Sequence, residues 1–274
     1  MKNYRAKKSL GLKTHFKFAR AKKTLGQNFL KSQPALRKIV EVGEVKKDDV
    51  ILEIGPGKGA LTEKLLECAG TVVAVEKDRE LFEFLKIKFA KEIEANTLML
   101  ACEDILEYNV ENLGTLSYKI IANIPYNITG AILKKFLTAH PSAGGQPERM
   151  VLLVQQEVAE RIVARDGKES ILSISVKAYG EPKVVMKVPK RYFSPSPKVD
   201  SAVIVIKNIS RKIFKENDIN EDKFWQIVKM GFAHKRKKLS GNLKLLGKAS
   251  QLMPFRDKRA ENLTLLDWIA LSRP

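Results

Sequence analysis

Between residues 50 and 154, short runs of aliphatic and β-branched residues alternate with segments whose apolar side chains recur at helical spacing. This alternation constrains the fold more than any other feature, because strands joined by helices pair in parallel within one sheet. The predicted elements follow one another as strand 50–54, helix 60–69, strand 71–76, helix 79–89, strand 97–101, strand 119–123, helix 128–137 and strand 150–154. The sequence therefore predicts an α/β fold with a Rossmann-like, doubly wound parallel sheet.

The pattern changes after residue 154. A helical stretch at 157–164 precedes two strands at 183–188 and 203–206, which alternate like antiparallel strands and are connected by a proline-rich loop. Beyond these strands the β-branched runs stop and helical periodicity takes over, so we place a domain boundary near Asn208. The predicted parts of the chain are an N-terminal arm at 1–22, an α/β catalytic domain at 23–207 and a small C-terminal helical domain at 208–274.

A glycine-rich turn follows the first of the parallel strands. Gly55, Gly57 and Gly59 allow the backbone to approach a ligand closely at the start of a helix, as in nucleotide-binding folds. Pro56 removes a backbone donor from the turn and Glu53 adds a carboxylate, and both features disfavour a pyrophosphate. A carboxylate instead attracts a sulfonium or ammonium group. The turn therefore predicts S-adenosylmethionine as cofactor and disfavours NAD.

Acidic residues follow the next two strands. Glu76 lies about 20 residues beyond the turn, where an acidic side chain accepts hydrogen bonds from ribose hydroxyls. Asp104 follows the third strand, and its carboxylate could accept a hydrogen bond from the amine of the cofactor's adenine. An alternative for Asp104 is the capping of a turn or helix. Together with the glycines, these residues predict a nucleoside pocket at one edge of the sheet.

The fourth strand ends in Asn123-Ile124-Pro125-Tyr126. The Asn123 side-chain oxygen and the Pro125 carbonyl are acceptors, and the Tyr126 ring is a flat face for stacking. Two acceptors and a ring suit a planar base with an exocyclic amine, such as adenine or cytosine. The alternative is a polar strand end that leads into a turn.

The net charge of +19 is unevenly distributed along the chain. Residues 1–25 carry nine Lys or Arg and no acidic residue, residues 26–200 are nearly balanced, and residues 201–274 carry 16 basic and seven acidic residues. A neutral body with two basic ends is typical of a nucleic-acid-binding enzyme. We place the basic cluster Lys235–Lys238 in a helix and predict that it faces RNA. A solvated basic face is the alternative for this cluster, and a mitochondrial transit peptide is the alternative for the arm.

Composition excludes several other classes of protein. The 44% hydrophobic share supports a folded core, and no apolar run is long enough for a membrane helix. Cys68 and Cys102 are expected to be reduced residues of a cytoplasmic protein, and the three histidines are scattered, so we expect no metal site.

Several motifs occur in order and together resemble the ribosomal RNA adenine dimethyltransferases, specifically the type that modifies the small subunit. They are the segments 25–30 (LGQNFL), 53–57 (EIGPG), 123–127 (NIPYN), 193–203 (FSPSPKVDSAV) and 259–263 (RAENL). The resemblance implies an S-adenosylmethionine-dependent methyltransferase that dimethylates two adjacent adenosines in the 3′-terminal hairpin of small-subunit rRNA during ribosome biogenesis. It also implies a cytoplasmic monomer that acts on the rRNA or the precursor small subunit, away from membranes.

The resemblance also assigns roles to single residues. A loop around Asn28 and Leu30 is expected to close over the cofactor, and Phe193 is expected to stack on the target base opposite Tyr126. A hydrophobic anchor for the proline-rich loop is the alternative for Phe193. The residues expected to line the cofactor site are Asn28, Leu30, Gly55, Gly57, Glu76, Asp104 and Asn123, and those expected at the reacting amine are Asn123, Pro125, Tyr126 and Phe193.

Three other functions compete with this interpretation. A large-subunit rRNA adenine methyltransferase of the antibiotic-resistance type shares the core, but the segments 193–203 and 259–263 favour the small-subunit enzyme. A ribosome-assembly or transcription factor on the same fold without catalysis is disfavoured by the intact Asn123–Tyr126 motif. An NAD enzyme is the most distant alternative.

Overall fold

The computed structural model describes residues 21–22, 25–114, 117–140, 144–244 and 252–273. Its strands are β1 (Phe29–Leu30), β2 (Val50–Ile54), β3 (Thr71–Val75), β4 (Leu98–Ala101), β5 (Lys119–Asn123), β6 (Arg149–Gln155), β7 (Glu181–Val188), β8 (Phe193–Ser194) and β9 (Ser201–Lys207). Its α-helices are α1 (Gln33–Gly43), α2 (Ala60–Leu66), α3 (Arg79–Lys88), α4 (Ala90–Glu94), α5 (Thr129–Leu137), α6 (Gln156–Val163), α7 (Ile171–Lys177), α8 (Lys212–Glu216), α9 (Glu221–Gly231), α10 (Leu239–Asn242) and α11 (Leu265–Ser272).

Seven strands form one sheet in the order β4-β3-β2-β5-β6-β9-β7. The first five are mutually parallel, whereas β9 pairs antiparallel with β6 and β7 pairs antiparallel with β9. The α/β prediction is confirmed, as is the antiparallel pairing of the last two strands of this sheet. The parallel strands bring their carboxyl ends to a single edge, where ligands bind in folds of this type.

Both faces of the sheet are covered by helices, as the near-continuous hydrophobic strands predict. Neighbouring residues on β2 show the alternation: Ile51 packs in the cluster that includes α1 and α2, and Leu52 packs in the cluster that includes α5, α6 and α7. Both side chains are completely buried. The sheet is therefore doubly wound, and its rigid core holds the loops at the carboxyl edge.

The C-terminal helices pack on one of these two faces. Phe224 of α9 and Trp268 of α11 are fully buried in the same hydrophobic cluster as Leu152 of β6 and Ile204 of β9. α11 begins with the predicted capping box, in which Thr264 and Asp267 satisfy each other's backbone N–H groups. The last strand ends at Lys207, next to the boundary placed from the sequence, and the division into separate domains stays a prediction.

The sequence interpretation did not predict helix α7 or the pairing of β1 with β8. Helix α7 has a strand-like composition, Ile-Leu-Ser-Ile-Ser-Val-Lys, but a capping box of Ser170 and Ser173 starts it and the core buries Ile174 and Val176. The two-residue strands β1 and β8 form a separate antiparallel sheet, hereafter the mini-sheet, which is too short to produce a periodic pattern. Burial and long-range pairing, rather than local propensity, decide both elements.

The helical placement of Lys235–Lys238 is wrong. α9 ends at Gly231, and the four basic residues lie in the exposed turn before α10. The Asn242 side chain caps the C-terminal end of α9. Its Nδ2 donates to the Gly231 carbonyl at 2.6 Å, a group that has no hydrogen-bond partner within the helix.

The predicted N-terminal arm lies outside the described residues except for Ala21 and Lys22. No helix in the described ranges is long and apolar enough to span a membrane.

Candidate active site

A cavity of about 490 Å³ lies at the carboxyl edge of the parallel strands. Its wall combines the turn after β2, residues after β3 and β4, the end of β5, and residues 25–31, hereafter the strap. This size suits one nucleoside-like ligand. Of the residues predicted for the cofactor, the cavity wall contains all seven: Asn28, Leu30, Gly55, Gly57, Glu76, Asp104 and Asn123.

The glycine-rich turn has the backbone geometry that requires glycine. Gly55 and Gly57 adopt φ angles of 64° and 60°, in the left-handed region that side chains disfavour. A Cβ atom on Gly57 would lie 2.9 Å from the Phe29 ring of the strap. The turn and the strap are thus packed against each other, and both contact the same cavity.

Glu76 is tied to the glycine turn. Its Oε2 accepts the Gly57 N–H at 3.0 Å, its Oε1 accepts the Asp78 N–H at 2.9 Å, and the residue is only 5% exposed. Burial raises the pKa of this carboxyl, and the two backbone hydrogen bonds oppose that shift. Glu76 therefore shapes the turn in addition to lining the cavity, a structural role that the sequence did not indicate.

The charge of the Glu53 carboxyl group differs from the charge expected from the sequence. It is 1% exposed, and Thr62 Oγ1 donates to its Oε2 at 2.6 Å. Burial raises the pKa of Glu53 to about 8, and the neighbouring Glu76 charge adds to this effect. At neutral pH Glu53 is therefore largely protonated and does not supply the full negative charge that we expected beside the turn. A cation in the cavity would favour its ionised form.

Asp104 serves as a turn cap and also lines the cavity. Its Oδ1 accepts the Leu106 N–H at 3.0 Å, and its Oδ2 pairs with Lys77 Nζ at 2.6 Å. The Lys77 ammonium holds the pKa of the Asp104 carboxyl below its usual value. The capping alternative is thus confirmed, and the contact with an adenine amine stays a prediction.

Asn123 ends β5 with its side-chain amide held in one orientation. Its Nδ2 donates to the Asn28 carbonyl of the strap at 3.0 Å. Because the amine side of the amide is committed to this carbonyl, Oδ1 is the atom left to accept a hydrogen bond from a ligand. Asp78 also holds the strap, because it accepts from Gln27 Nε2 at 2.9 Å. Lys22, which precedes the strap, donates to the same carboxylate through Nζ at 2.8 Å.

Pro125 and Tyr126 continue the same wall of the cavity. The Pro125 carbonyl accepts the Ile128 N–H at 3.3 Å, a long bond that leaves a second lone pair for a ligand. The Tyr126 hydroxyl lies 2.6 Å from Oγ of Ser201, which is fully buried at the start of β9. The sequence placed Ser201 within a family motif but gave it no role, and the structure shows that it fixes the Tyr126 ring.

Phe193 is not among the described residues that line the cavity. Its side chain is 3% exposed and lies in the hydrophobic core, opposite Leu30 in the mini-sheet. Strand alternation turns Phe193 inward and leaves the next residue, Ser194, in the cavity wall. In this conformation Phe193 is an anchor for the proline-rich loop, the alternative weighed from the sequence, and stacking on a base would require the loop to move.

Comparison with known proteins agrees with the family resemblance of the sequence motifs. The family described as ribosomal RNA adenine dimethylase matches residues 18–271. A relative from Fusobacterium nucleatum, ribosomal RNA small subunit methyltransferase A, is 39% identical over 260 residues, which cover 91% of this chain and 96% of the relative. A relative of the same name from Acaryochloris marina is 38% identical over 266 residues, with 92% and 96% covered.

Two solved structures share the fold over most of the chain. A dimethyladenosine transferase from Plasmodium falciparum superposes with a TM-score of 0.73 at 27% identity, covering 89% of this chain and 95% of the other. The 23S rRNA methyltransferase ErmE gives a TM-score of 0.71 at 23% identity, covering 89% and 98%, and this likeness shows the fold alone.

Proposed function

Because the chain belongs to the ribosomal RNA adenine dimethylase family, we propose that it dimethylates the exocyclic amines of two adjacent adenosines in the 3′-terminal hairpin of small-subunit rRNA. The methyl donor is S-adenosylmethionine, and the reaction belongs to ribosome biogenesis. The observation that carries the chemistry is the Asn123 amide, held at the cavity by the Asn28 carbonyl. The partner is the rRNA or the precursor small ribosomal subunit, on which the chain acts as a cytoplasmic monomer.

The residues around the cavity fit this cofactor. Carboxylates of Glu76 and Asp104 can accept hydrogen bonds from a ribose and an adenine amine, and Glu53 can neutralise a cationic group. The open glycine turn leaves backbone atoms close to the ligand. When bound, S-adenosylmethionine supplies an electrophilic methyl group on a positively charged sulfur.

The protein contributes position and electrostatics to the transfer. The exocyclic nitrogen of adenine is a weak nucleophile because its lone pair is delocalised into the ring. Hydrogen bonds from this amine to Asn123 Oδ1 and the Pro125 carbonyl favour a more tetrahedral nitrogen, whose lone pair can then attack. Such preorganised acceptors replace a strong general base. With the first transfer the nitrogen loses one proton to solvent and keeps one N–H. This N–H can bond to one of the two acceptors, so a second transfer is possible at the same site.

The target adenine must leave its stack to reach these acceptors. Tyr126 lines the cavity, and the hydrogen bond to the buried Ser201 holds the hydroxyl end of its ring in place. A ring that is already held in place loses less conformational entropy when the base binds than a mobile ring does. Tyr126 is therefore the stacking residue in the conformation described, whereas Phe193 supports the loop from below.

The Ser201 contact gives a testable prediction. Ser201→Ala should lower kcat/KM for RNA by about 3- to 10-fold, the range for one lost hydrogen bond, while Ser201→Thr retains the hydroxyl and most of the activity. Tyr126→Phe removes the other partner of the same bond. Steady-state kinetics of the double variant should therefore match the worse single variant, whereas additive losses would mean that the two residues act separately.

Cofactor binding should release a proton. The pKa of Glu53 is about 8 without ligand, and a bound cation lowers it, so part of the carboxyl population ionises on binding at pH 7. Well above pH 8 the group is already ionised and the release should vanish. Calorimetric titrations in buffers of different ionisation enthalpy measure this release. Glu53→Gln should abolish it, and identical heats for the wild type in all buffers at pH 7 would contradict the assignment.

The choice of subunit separates the proposed function from its rivals. The purified protein should transfer labelled methyl groups from S-adenosylmethionine to under-methylated small ribosomal subunits and not to large subunits. Transfer to large subunits alone would support the antibiotic-resistance type of enzyme. Tight binding to small subunits without any transfer would support an assembly factor.

A further inference from the structure

The mini-sheet has a buried face and an outward face. Leu30 and Phe193 lie opposite each other and are only 5% and 3% exposed. Residues that precede and follow them point the other way, because side chains alternate along a strand. The Lys31 N–H donates to the Tyr192 carbonyl at 2.8 Å, which extends the ladder by one more pair. Lys31 and Tyr192 are therefore neighbours on the outward face.

This outward face adjoins the active-site cavity. Phe29 and Ser194 form the next pair along it, and both lie in the cavity wall, as does Lys31. Tyr192 is 36% exposed, so its ring is accessible from solvent. The exposed guanidinium of Arg191 lies over its ring, 5.2 Å from the centroid. We call Lys31, Arg191 and Tyr192 the rim platform.

The backbone beneath the rim platform is held by several hydrogen bonds. The Tyr192 N–H donates to the Pro189 carbonyl at 3.0 Å, and Ser196 Oγ donates to the Lys190 carbonyl at 3.0 Å. The Lys190 N–H donates to Asp200 Oδ1 at 2.9 Å. The Tyr192 ring and the Arg191 guanidinium are thus presented from a preorganised turn, and Lys31 from the strand that pairs with it.

We propose that the rim platform binds the nucleotide that flanks the target adenosine in the RNA. Its base stacks on the Tyr192 ring, and its phosphates contact Lys31 and Arg191. An exposed ring with a guanidinium over it and a lysine on the paired strand matches the planar bases and phosphates of a single strand. This match does not depend on base identity. The site rests on the proposed function and extends it, because it would hold the strand while a target base occupies the cavity.

The test uses four variants of the full chain and a remote control. Tyr192→Ala removes the ring, Tyr192→Phe keeps it, and Arg191→Gln and Lys31→Gln each remove one charge. The control is Lys86→Gln on α3, where Lys86 forms a comparable cation–π pair with Phe82 at 5.5 Å. Each protein is titrated with a hairpin RNA of the small-subunit 3′ end across a salt series, and 2-aminopurine beside the target adenosine reports stacking.

We expect Tyr192→Ala to weaken RNA binding by about 5- to 100-fold, the range for one lost base–aromatic stack, and to relieve the quenching of 2-aminopurine. Tyr192→Phe should bind like the wild type. Arg191→Gln and Lys31→Gln should each reduce the salt slope by about one, whereas Lys86→Gln should leave it unchanged. Melting temperature should stay constant in all variants, and cofactor affinity should stay constant in the Arg191 and Tyr192 variants, which lie outside the cavity wall.

Two results would overturn the site in different ways. If the wild type methylates the RNA but Tyr192→Ala binds it within twofold with unchanged quenching, the rim platform does not contact the flanking nucleotide. If the wild type neither binds nor methylates small-subunit RNA, the proposed function is wrong, and so is the RNA-binding role of the rim platform that depends on it.

Discussion

Replacing Asn123 with Ala should slow methyl transfer by about 10²- to 10³-fold, the loss typical of one preorganised hydrogen-bonding group at a reacting centre. The substitution removes the Oδ1 acceptor for the adenine amine. It also removes the Nδ2 donor that bonds to the Asn28 carbonyl of the strap. The strap keeps its attachment to Asp78 and its pairing in the mini-sheet, so the fold should persist.

Single-turnover kinetics at saturating cofactor and RNA isolate this effect, because weaker cofactor binding by the loosened strap then cannot limit the rate. Asn112→Ala, which removes an exposed amide outside the cavity, is the matched control and should transfer at the wild-type rate. A rate for Asn123→Ala within a few-fold of wild type would show that the amide does not polarise the amine.

Glu76→Ala should weaken S-adenosylmethionine binding by roughly 1.5–3 kcal/mol, the range for hydrogen bonds to a charged group. Two contributions add in this variant. The carboxylate can no longer accept hydrogen bonds from the ribose, and the N–H groups of Gly57 and Asp78 lose their buried acceptor. The second loss loosens the glycine turn, so the effect should lie toward the upper end of that range.

Isothermal calorimetry with S-adenosylmethionine measures the difference, and Glu94→Ala, an exposed acid at the end of α4, is the control. The same titrations with NAD should show no binding to any of these proteins. Unchanged affinity of Glu76→Ala for S-adenosylmethionine would remove Glu76 from the site.

The sequence predicted the fold where local pattern and tertiary environment agree. Buried parallel strands such as β2 and β5 are hydrophobic over most of their length, and the helices between them carry a clear apolar period, so their positions were predictable. The mini-sheet and α7 were not, because pairing between distant segments forms the first and a capping box with core burial forms the second. The basic turn before α10 was misplaced because its lysines and arginine also suit a helix.

In the candidate site, too, local motifs predicted some features and tertiary packing determined the others. The residue types and their order predicted that Glu76, Asp104 and Asn123 would meet in one cavity, since parallel strands bring their carboxyl ends together. The protonation of Glu53 depends on complete burial, and the inward position of Phe193 depends on the register of the mini-sheet. No local motif indicates the protonation of Glu53 or the position of Phe193. The contact between Tyr126 and Ser201 likewise depends on tertiary structure.

Mapping the methylated nucleotides tests the proposed dimethylation of small-subunit rRNA most directly. Under-methylated small subunits are incubated with the purified protein and S-adenosylmethionine, and the rRNA is digested and sequenced by mass spectrometry. We expect N6,N6-dimethyladenosine at two adjacent positions in the 3′-terminal hairpin, and no such product with Asn123→Ala on the same time scale. Methyl groups at another site, on another base, or on large-subunit rRNA alone would contradict the account.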